Sequence, residues 1–233
     1  MHCRIIVFFL CLLTTGQSTA QSSPDALALI REVNAKFARV KDYQAKAIVD
    51  VRISFMKILP QKAKVFYRRP DKFRVKSEGI AILPRQNLDQ LFQLTANENE
   101  FMAFAIGDDA VQGVPVKVLN IVPVSDTSDL ILAKIWVDPV KDLVLKSQLT
   151  TKTNGTILIE YTFGTQAAFA LPDQAVFTIE VRKFKIPKAI SADLNSAASK
   201  KDSGKEQKTG KIILRFSDYQ INKGLADAVF VEK

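Results

Sequence analysis

Polar and apolar positions alternate with period two over most of this chain. The stretch Gln61 to Gly79 does so most clearly, and it predicts two strands joined at Pro70-Asp71. Before the turn, Ala63, Val65, Tyr67 and Arg69 share one face, and Lys62, Lys64, Phe66 and Arg68 share the other. After it, Phe73, Val75 and Ser77 alternate with Lys72, Arg74 and Lys76. Proline has no N–H to give a ladder, so Pro70 belongs at a strand end, with Asp71 beside it as a turn former. Arg69 falls on the otherwise apolar face, where a guanidinium requires partners.

Upstream the period is helical. Leu27, Ile30, Val33, Phe37 and Val40 recur at three- and four-residue spacing, with Arg31, Glu32, Lys36 and Arg39 off the stripe. Ser23-Pro24-Asp25 supplies a cap, a first-turn proline and an acid. From Tyr43 the period returns to two, for a strand of about fifteen residues, longer than usual and suited to a curved sheet or barrel.

Further strands are predicted at Phe101–Ile106, Val114–Val122, Leu132–Asp138, Leu143–Lys152, Thr156–Phe163, Ala175–Ile186 and Lys211–Ile221. A turn is expected at Gly107-Asp108-Asp109, and a type I′ hairpin turn at Asn154-Gly155. Gly79–Pro84 is a short apolar run, a strand or strand end, Asn87–Thr95 a short helix or turn, and Gly224–Lys233 a terminal strand or short helix. Ala189–Gly210 is rich in Ser, Ala and Lys with almost no large apolar residue, and reads as a flexible loop. The whole is mostly an antiparallel sheet with helices.

Met1–Ala20 reads as an export signal: Arg4, then an apolar run from Ile5 to Leu13, then Ser18-Thr19-Ala20 as a small-x-small cleavage site. Residues 21–233 are then a single domain. Both cysteines (Cys3, Cys11) and the only histidine (His2) fall in the signal. The exported chain therefore offers no disulfide, no Cys or His general base and no Cys/His zinc site. No nucleotide loop or catalytic motif is present, so no cofactor, metal, nucleotide or enzymatic activity is expected. The formal net charge is +9. An exported basic protein meets anionic headgroups or an acidic partner rather than nucleic acid. Arg68, Lys72 and Arg74 are the candidates for that contact.

Fifteen phenylalanines and several strands that are apolar on both faces set a further constraint. Ile48, Met56 and Ile58 interrupt the polar face of the first strand, and Phe66 that of the second. Such a sheet needs cover on both sides, from helices or from a ligand. Two readings follow: a core filled by the protein itself, or a concavity lined by residues such as Phe55, Phe66, Tyr67, Phe73, Phe104, Trp136 and Phe163.

The string Tyr67-Arg68-Arg69-Pro70-Asp71-Lys72-Phe73-Arg74 resembles the R-P-(N/D)-x-F-R hairpin of the LolA-like superfamily of lipoprotein carriers. Gly113 to Pro123 resembles that superfamily's G-x-x-V-x-x-L-x-x-x-P strand, and Leu132–Asp138 with Trp136 its Trp-containing hairpin. The departures are the missing Asp-Gly element near Asn87 and the long Ala189–Gly210 insertion. The resemblance implies a mainly β fold: an open, strongly curved antiparallel half-barrel with covering helices, its concavity holding acyl chains. It implies that Arg69 hydrogen-bonds a helical lid and acts as its latch, which suits a planar, many-donor guanidinium. It further implies a soluble periplasmic carrier of lipoprotein acyl chains or another lipid, with an inner-membrane donor and an outer-membrane acceptor. The alternative within the same fold is a regulatory sensor that binds lipid or lipoprotein and a protein partner.

Overall fold

The computed structural model describes residues 22–53, 56–77, 88–153, 155–180 and 209–231. The signal Met1–Ala20, the Gly79–Pro84 run, Phe55, Asn154, the far end of the Ala175–Ile186 strand and nearly all of the Ala189–Gly210 loop lie outside them.

Helix α1 (Pro24–Ala38) forms as its stripe requires. The Ser23 hydroxyl accepts from the Ala26 N–H at 3.2 Å, Pro24 stands at the first position, and Ala26, Ile30, Val33 and Phe37 are buried. Strands β1 (Asp42–Ile53), β2 (Met56–Lys57), β3 (Gln61–Arg68) and β4 (Lys72–Ser77) follow. Helix α2 (Leu88–Thr95) matches the short helix predicted there. Strands β5 (Phe101–Val111), β6 (Val114–Pro123), β7 (Leu130–Asp138), β8 (Leu143–Thr151), β9 (Gly155–Thr162), β10 (Gln174–Glu180) and β11 (Thr209–Ile221) complete the sheet.

The order is β4-β3-β1-β11-β10-β9-β8-β7-β6-β5, with β2 pairing β1, and each of these pairings is antiparallel. β4 and β5 are the edges and do not meet, so the sheet is an open, curved half-barrel. Neighbours in space are mostly hairpin neighbours in sequence. Two connections are not. β1 pairs with β11, from Tyr43–Ile221 to Arg52–Lys211. The chain also leaves the sheet at edge β4 and re-enters it at the opposite edge β5, and α2 lies in that crossing segment. The connectivity thus carries α2 from one edge to the other.

The core is one continuous cluster on the helix-covered inner face. It joins Ile30, Val33 and Phe37 of α1 and Leu91 and Phe92 of α2 to Val49, Tyr67, Ile121, Ile135, Ile159, Phe177 and Ile212 of the strands. A small separate cluster of Val111, Val116, Val118 and Trp136 sits on the other face.

Two local expectations are corrected and one is narrowed. The turn expected at Gly107-Asp108-Asp109 is strand: a bulge between Ala105 and Gly107 absorbs the glycine, and the hairpin turns at Gln112-Gly113, both with positive φ. The described part of the Gly224–Lys233 segment, residues 224–231, takes the short-helix form of the two expected and not the strand. It carries one 3₁₀ turn, Asp227–Val229, because the tail leaves the sheet after Ile221. Strand β11 begins at Thr209, so the last two residues assigned to the flexible loop are ladder residues.

Candidate ligand site under the helix pair

Helix α1 spans the inner face and is tied at both ends. At its start, the Ser23 N–H donates to the Ala103 carbonyl of edge strand β5 at 2.8 Å, and the Ala103 N–H donates to the Ser22 hydroxyl at 3.0 Å. At its end, Arg69 Nη1 donates to the Ala38 carbonyl at 2.8 Å, and the Arg69 N–H donates to the Lys41 carbonyl at 2.9 Å. The last carbonyls of a helix lack intrahelical partners and carry its negative pole, so a guanidinium is suited to that position. Lys36 adds a contact to the Lys141 carbonyl and a 3.8 Å ion pair with Asp142 in the β7–β8 turn.

The two helices are joined by an apolar contact and the Asn34–Thr95 bonds, and a further ion pair ties α1 to the 3₁₀ turn Glu98–Glu100 that follows α2. Phe37 stacks on Phe92 with centroids 4.3 Å apart. Asn34 Nδ2 donates to the Thr95 carbonyl at 2.7 Å while the Thr95 hydroxyl bonds Asn34 Oδ1 at 3.0 Å. Arg31 grips Glu98 with both Nε and Nη2, at 2.5 and 2.7 Å. That bond holds the Glu98 carboxyl below its ordinary range.

Between the helices lies a cleft of about 240 Å³ whose wall includes Ile30, Phe37, Phe92 and Thr95, with Arg69 at its rim. Beneath it a void of only about 10 Å³ reaches Val33, Leu91, Ile135 and Val144. Directly beneath the helix pair the described side chains therefore pack closely. A longer apolar ligand at this place requires the helices to move.

The candidate cavity residues divide between the faces. Tyr67 is buried on the inner face, its ring 5.3 Å from Phe37 and 5.4 Å from Tyr43. Phe163 packs partly against the same cluster. Phe73, paired with Tyr67 across the β3–β4 hairpin, stands 42% exposed on the edge strand. Trp136 does not reach the inner cluster. Its neighbours Ile135 and Val137 belong to that cluster, so alternation sends the indole outward. There its Nε1 donates to Asp109 at 2.8 Å, and Lys146 and Lys134 lie 4.5 and 5.0 Å from the ring. Phe66 is likewise buried outside the inner cluster, with Lys76 over its ring at 5.6 Å. Phe104 alternates with the inner residues Phe101 and Ala103 and also leaves that face. Phe55 lies outside the described residues.

Arg69 is exposed, not on the buried face as the alternation suggested. β3 ends at Arg68, so the register that placed Arg69 beside Tyr67 no longer applies. Its partner is nonetheless a helix carbonyl. Arg68, Lys72 and Arg74 lie on the outer side of the same hairpin and hold the C-terminal tail. Arg68 Nη1 donates to the Leu225 carbonyl at 2.6 Å, Arg74 Nη1 to the Val229 carbonyl at 3.0 Å, and both Arg68 and Lys72 bond Asp227.

Sequence reasoning did not find the Asn34–Thr95 and Arg31–Glu98 ties. Each joins residues more than sixty positions apart, and only the polar position of Asn34 next to the α1 stripe hinted at a partner. Among the described residues there is no group of three metal-ligating side chains, and no helix is long and apolar enough to cross a membrane.

No protein-family model matches the chain, and no curated protein matches it in sequence. Solved structures do match in shape, and they define the class: the chain has the LolA-like fold. A domain named for outer membrane lipoprotein sorting, from Vibrio parahaemolyticus, superposes with a TM-score of 0.58 at 12% identity, over 88% of this chain and 96% of that one. A LolA superfamily protein from Nitrosomonas europaea gives 0.56 at 11% identity, over 89% and 97%. A DUF1329 family protein from Desulfovibrio piger gives 0.56 at 11%, over 91% and 98%.

Proposed function

We propose that the protein is a non-enzymatic periplasmic carrier. It takes up the acyl chains of a lipoprotein, or of a comparable lipid, between the α1–α2 pair and the inner face of the sheet. It then delivers them from an inner-membrane donor towards an outer-membrane acceptor. The observation that carries this reading is the contrast between the lid and what it covers. α1 and α2 are pinned at their rims by a few polar contacts, above one continuous, mostly apolar cluster.

The magnitudes are compatible with opening. The Asn34–Thr95 hydrogen bonds are worth about 1 kcal/mol each. Burying an acyl chain returns roughly 0.8 kcal/mol per methylene, so a chain of about fifteen carbons supplies on the order of 10 kcal/mol. That gain can replace the helix packing it displaces. Arg69 is the latch of the closed state, since the bond to the Ala38 carbonyl exists only while α1 lies down. Direction of transfer comes from relative affinity.

The test is native mass spectrometry of the protein isolated from a periplasmic extract, with organic extraction of its load, followed by titration with a fluorescent fatty acid. Co-purifying lipid or acylated peptide, and saturable uptake, are expected. A clean apo mass together with no uptake overturns the carrier reading and leaves a protein whose core is its own.

A further inference from the structure

The outer side of the β3–β4 hairpin carries a second arrangement, independent of lipid uptake. After β11 the chain is fixed at a hub. Asn222 Oδ1 accepts from the Lys41 N–H at 2.7 Å, Asn222 Nδ2 donates to the Arg39 carbonyl at 2.9 Å, and the buried carboxylate of Asp42 accepts from the N–H groups of Lys223 and Gly224 at 3.1 Å each. Beyond that hub, residues 225–231 turn back over β3 and β4. They form no ladder. They are held by Arg68, Lys72 and Arg74 through the carbonyls of Leu225, Val229 and Val231 and the carboxylate of Asp227. Phe230 lies under the Arg68 guanidinium, 5.3 Å from ring centroid to Cζ.

Three features make this occupant exchangeable. Most of its acceptors are main-chain carbonyls, which any peptide presents. The one side-chain acceptor, Asp227, remains 73% exposed while it is bound. The Asp42–Asn222 hub anchors the segment before the strip begins, so the tail can leave without loosening β11. The site therefore reads a short pattern: two or three spaced carbonyls, one carboxylate and one aromatic ring.

We propose that Arg68, Lys72 and Arg74 form a docking strip for an acidic, aromatic-bearing peptide segment of a partner protein, and that this chain's own residues 225–231 fill the strip until that partner arrives. A peptide is favoured over an anionic membrane surface because the strip already seats a peptide backbone, with two arginines bonding carbonyls four residues apart. A flat array of headgroups does not offer that spacing. The chain's net charge of +9 adds a general attraction for an acidic partner. The strip adjoins the Arg69 contact in sequence. Arg68 holds the tail on the outer face, and the next residue, Arg69, holds α1 on the inner one. A partner that takes the strip therefore acts one residue away from the latch.

The probe is a fluorescein-labelled peptide with the sequence of residues 224–231, added to the full chain. In one protein the resident tail is weakened by Asp227→Lys and Phe230→Ser, which leave the strip intact. Anisotropy should show the peptide binding that variant at least about tenfold tighter than the unsubstituted chain, because a tethered occupant competes at high effective concentration. Binding should disappear when Arg68→Ala and Arg74→Ala are added. It should also disappear, with no change to the protein, when the peptide carries lysine in place of its aspartate. Equal affinity for both chains, or binding indifferent to the peptide's charge, overturns the proposal. So does a tail-weakened variant that ignores the peptide yet gains binding to phosphatidylglycerol vesicles, since the strip would then be a membrane contact. Fatty-acid uptake by the same proteins is read separately, so failure here leaves the carrier reading standing and the reverse holds too.

Discussion

The two faces of the sheet carry aromatic residues at similar sequence spacing and close them off in different ways. On the inner face Tyr67, Phe37 and Phe92 belong to one apolar cluster that runs from α1 to β11, and whole helices cover it. On the outer face Trp136 and Phe66 are equally buried but stand in small separate patches, roofed by Lys134, Lys146 and Lys76. A lysine stem covers one ring and keeps its ammonium in water. It cannot cover a continuous face. The inner face therefore needs whole helices as its cover, and the outer face does not.

The largest expected effect breaks the two faces apart by the same substitution. Phe37→Ala opens a cavity beneath α1 and should cost about 3–5 kcal/mol in urea unfolding. Phe66→Ala should cost roughly half of that or less, since the stems of Lys76 and Arg74 can settle into the space. Equal losses would mean that the outer patch is as rigidly packed as the core. Next in size is the proposed latch. Arg69→Leu removes the bond to Ala38 from the closed state only, so a loaded protein should release its lipid more slowly. About 1 kcal/mol, or roughly fivefold, is expected in a stopped-flow transfer assay, because the bond is exposed to water. Unchanged release kinetics would remove Arg69 from its assigned role.

The strands were legible because alternation survives translation into a sheet: Ala63, Val65 and Tyr67 are buried on one side as their spacing required. The face that meets the helices was not legible. Period two separates Trp136 from Ile135 and Val137 without saying which of them points inward. That decision is made by the pairing of distant strands. Arg69 was found for a reason that only partly held. Its place in the apolar alternation failed once the strand ended at Arg68, yet its need for a partner was real and the helix terminus met it. The tail contacts of Arg68, Lys72 and Arg74 span more than 150 positions, beyond any local pattern.

Smaller effects follow from the exposed carboxylates. Glu98 is held below its ordinary range, first by the Arg31 hydrogen bond. Its contribution to closing the proposed lid is therefore complete above the usual carboxylate range and is lost only as pH falls through the lowered value. Fatty-acid uptake should quicken modestly at that low pH or in high salt, which screens an exposed pair. Glu98→Gln should raise uptake at neutral pH and flatten both dependences. If the variant keeps the acid response, another group governs the lid.

The smallest expected change is itself a test of the two-face comparison. Trp136 is the chain's single tryptophan, so intrinsic emission at the indole wavelength reports the outer face alone. Filling the inner site with a saturated fatty acid should leave that emission nearly constant, because Ile135 and Val137 separate the two faces. A large shift on lipid uptake would place ligand, or a strong coupling to it, on the wrong side of the sheet. Acid should act on the same signal by a different route. The Asp109 carboxyl is held below its ordinary value, first by the Trp136 Nε1–H and then by the Ala110 N–H, with Lys146 and Lys134 adding to the effect. A group depressed in the folded state keeps its contact above its usual pKa and loses it as pH falls through the lowered one. Trp136 emission should therefore stay level through the usual aspartate range, near about pH 3.9, and change only below it. Asp109→Asn should abolish that acid step while leaving lipid uptake untouched.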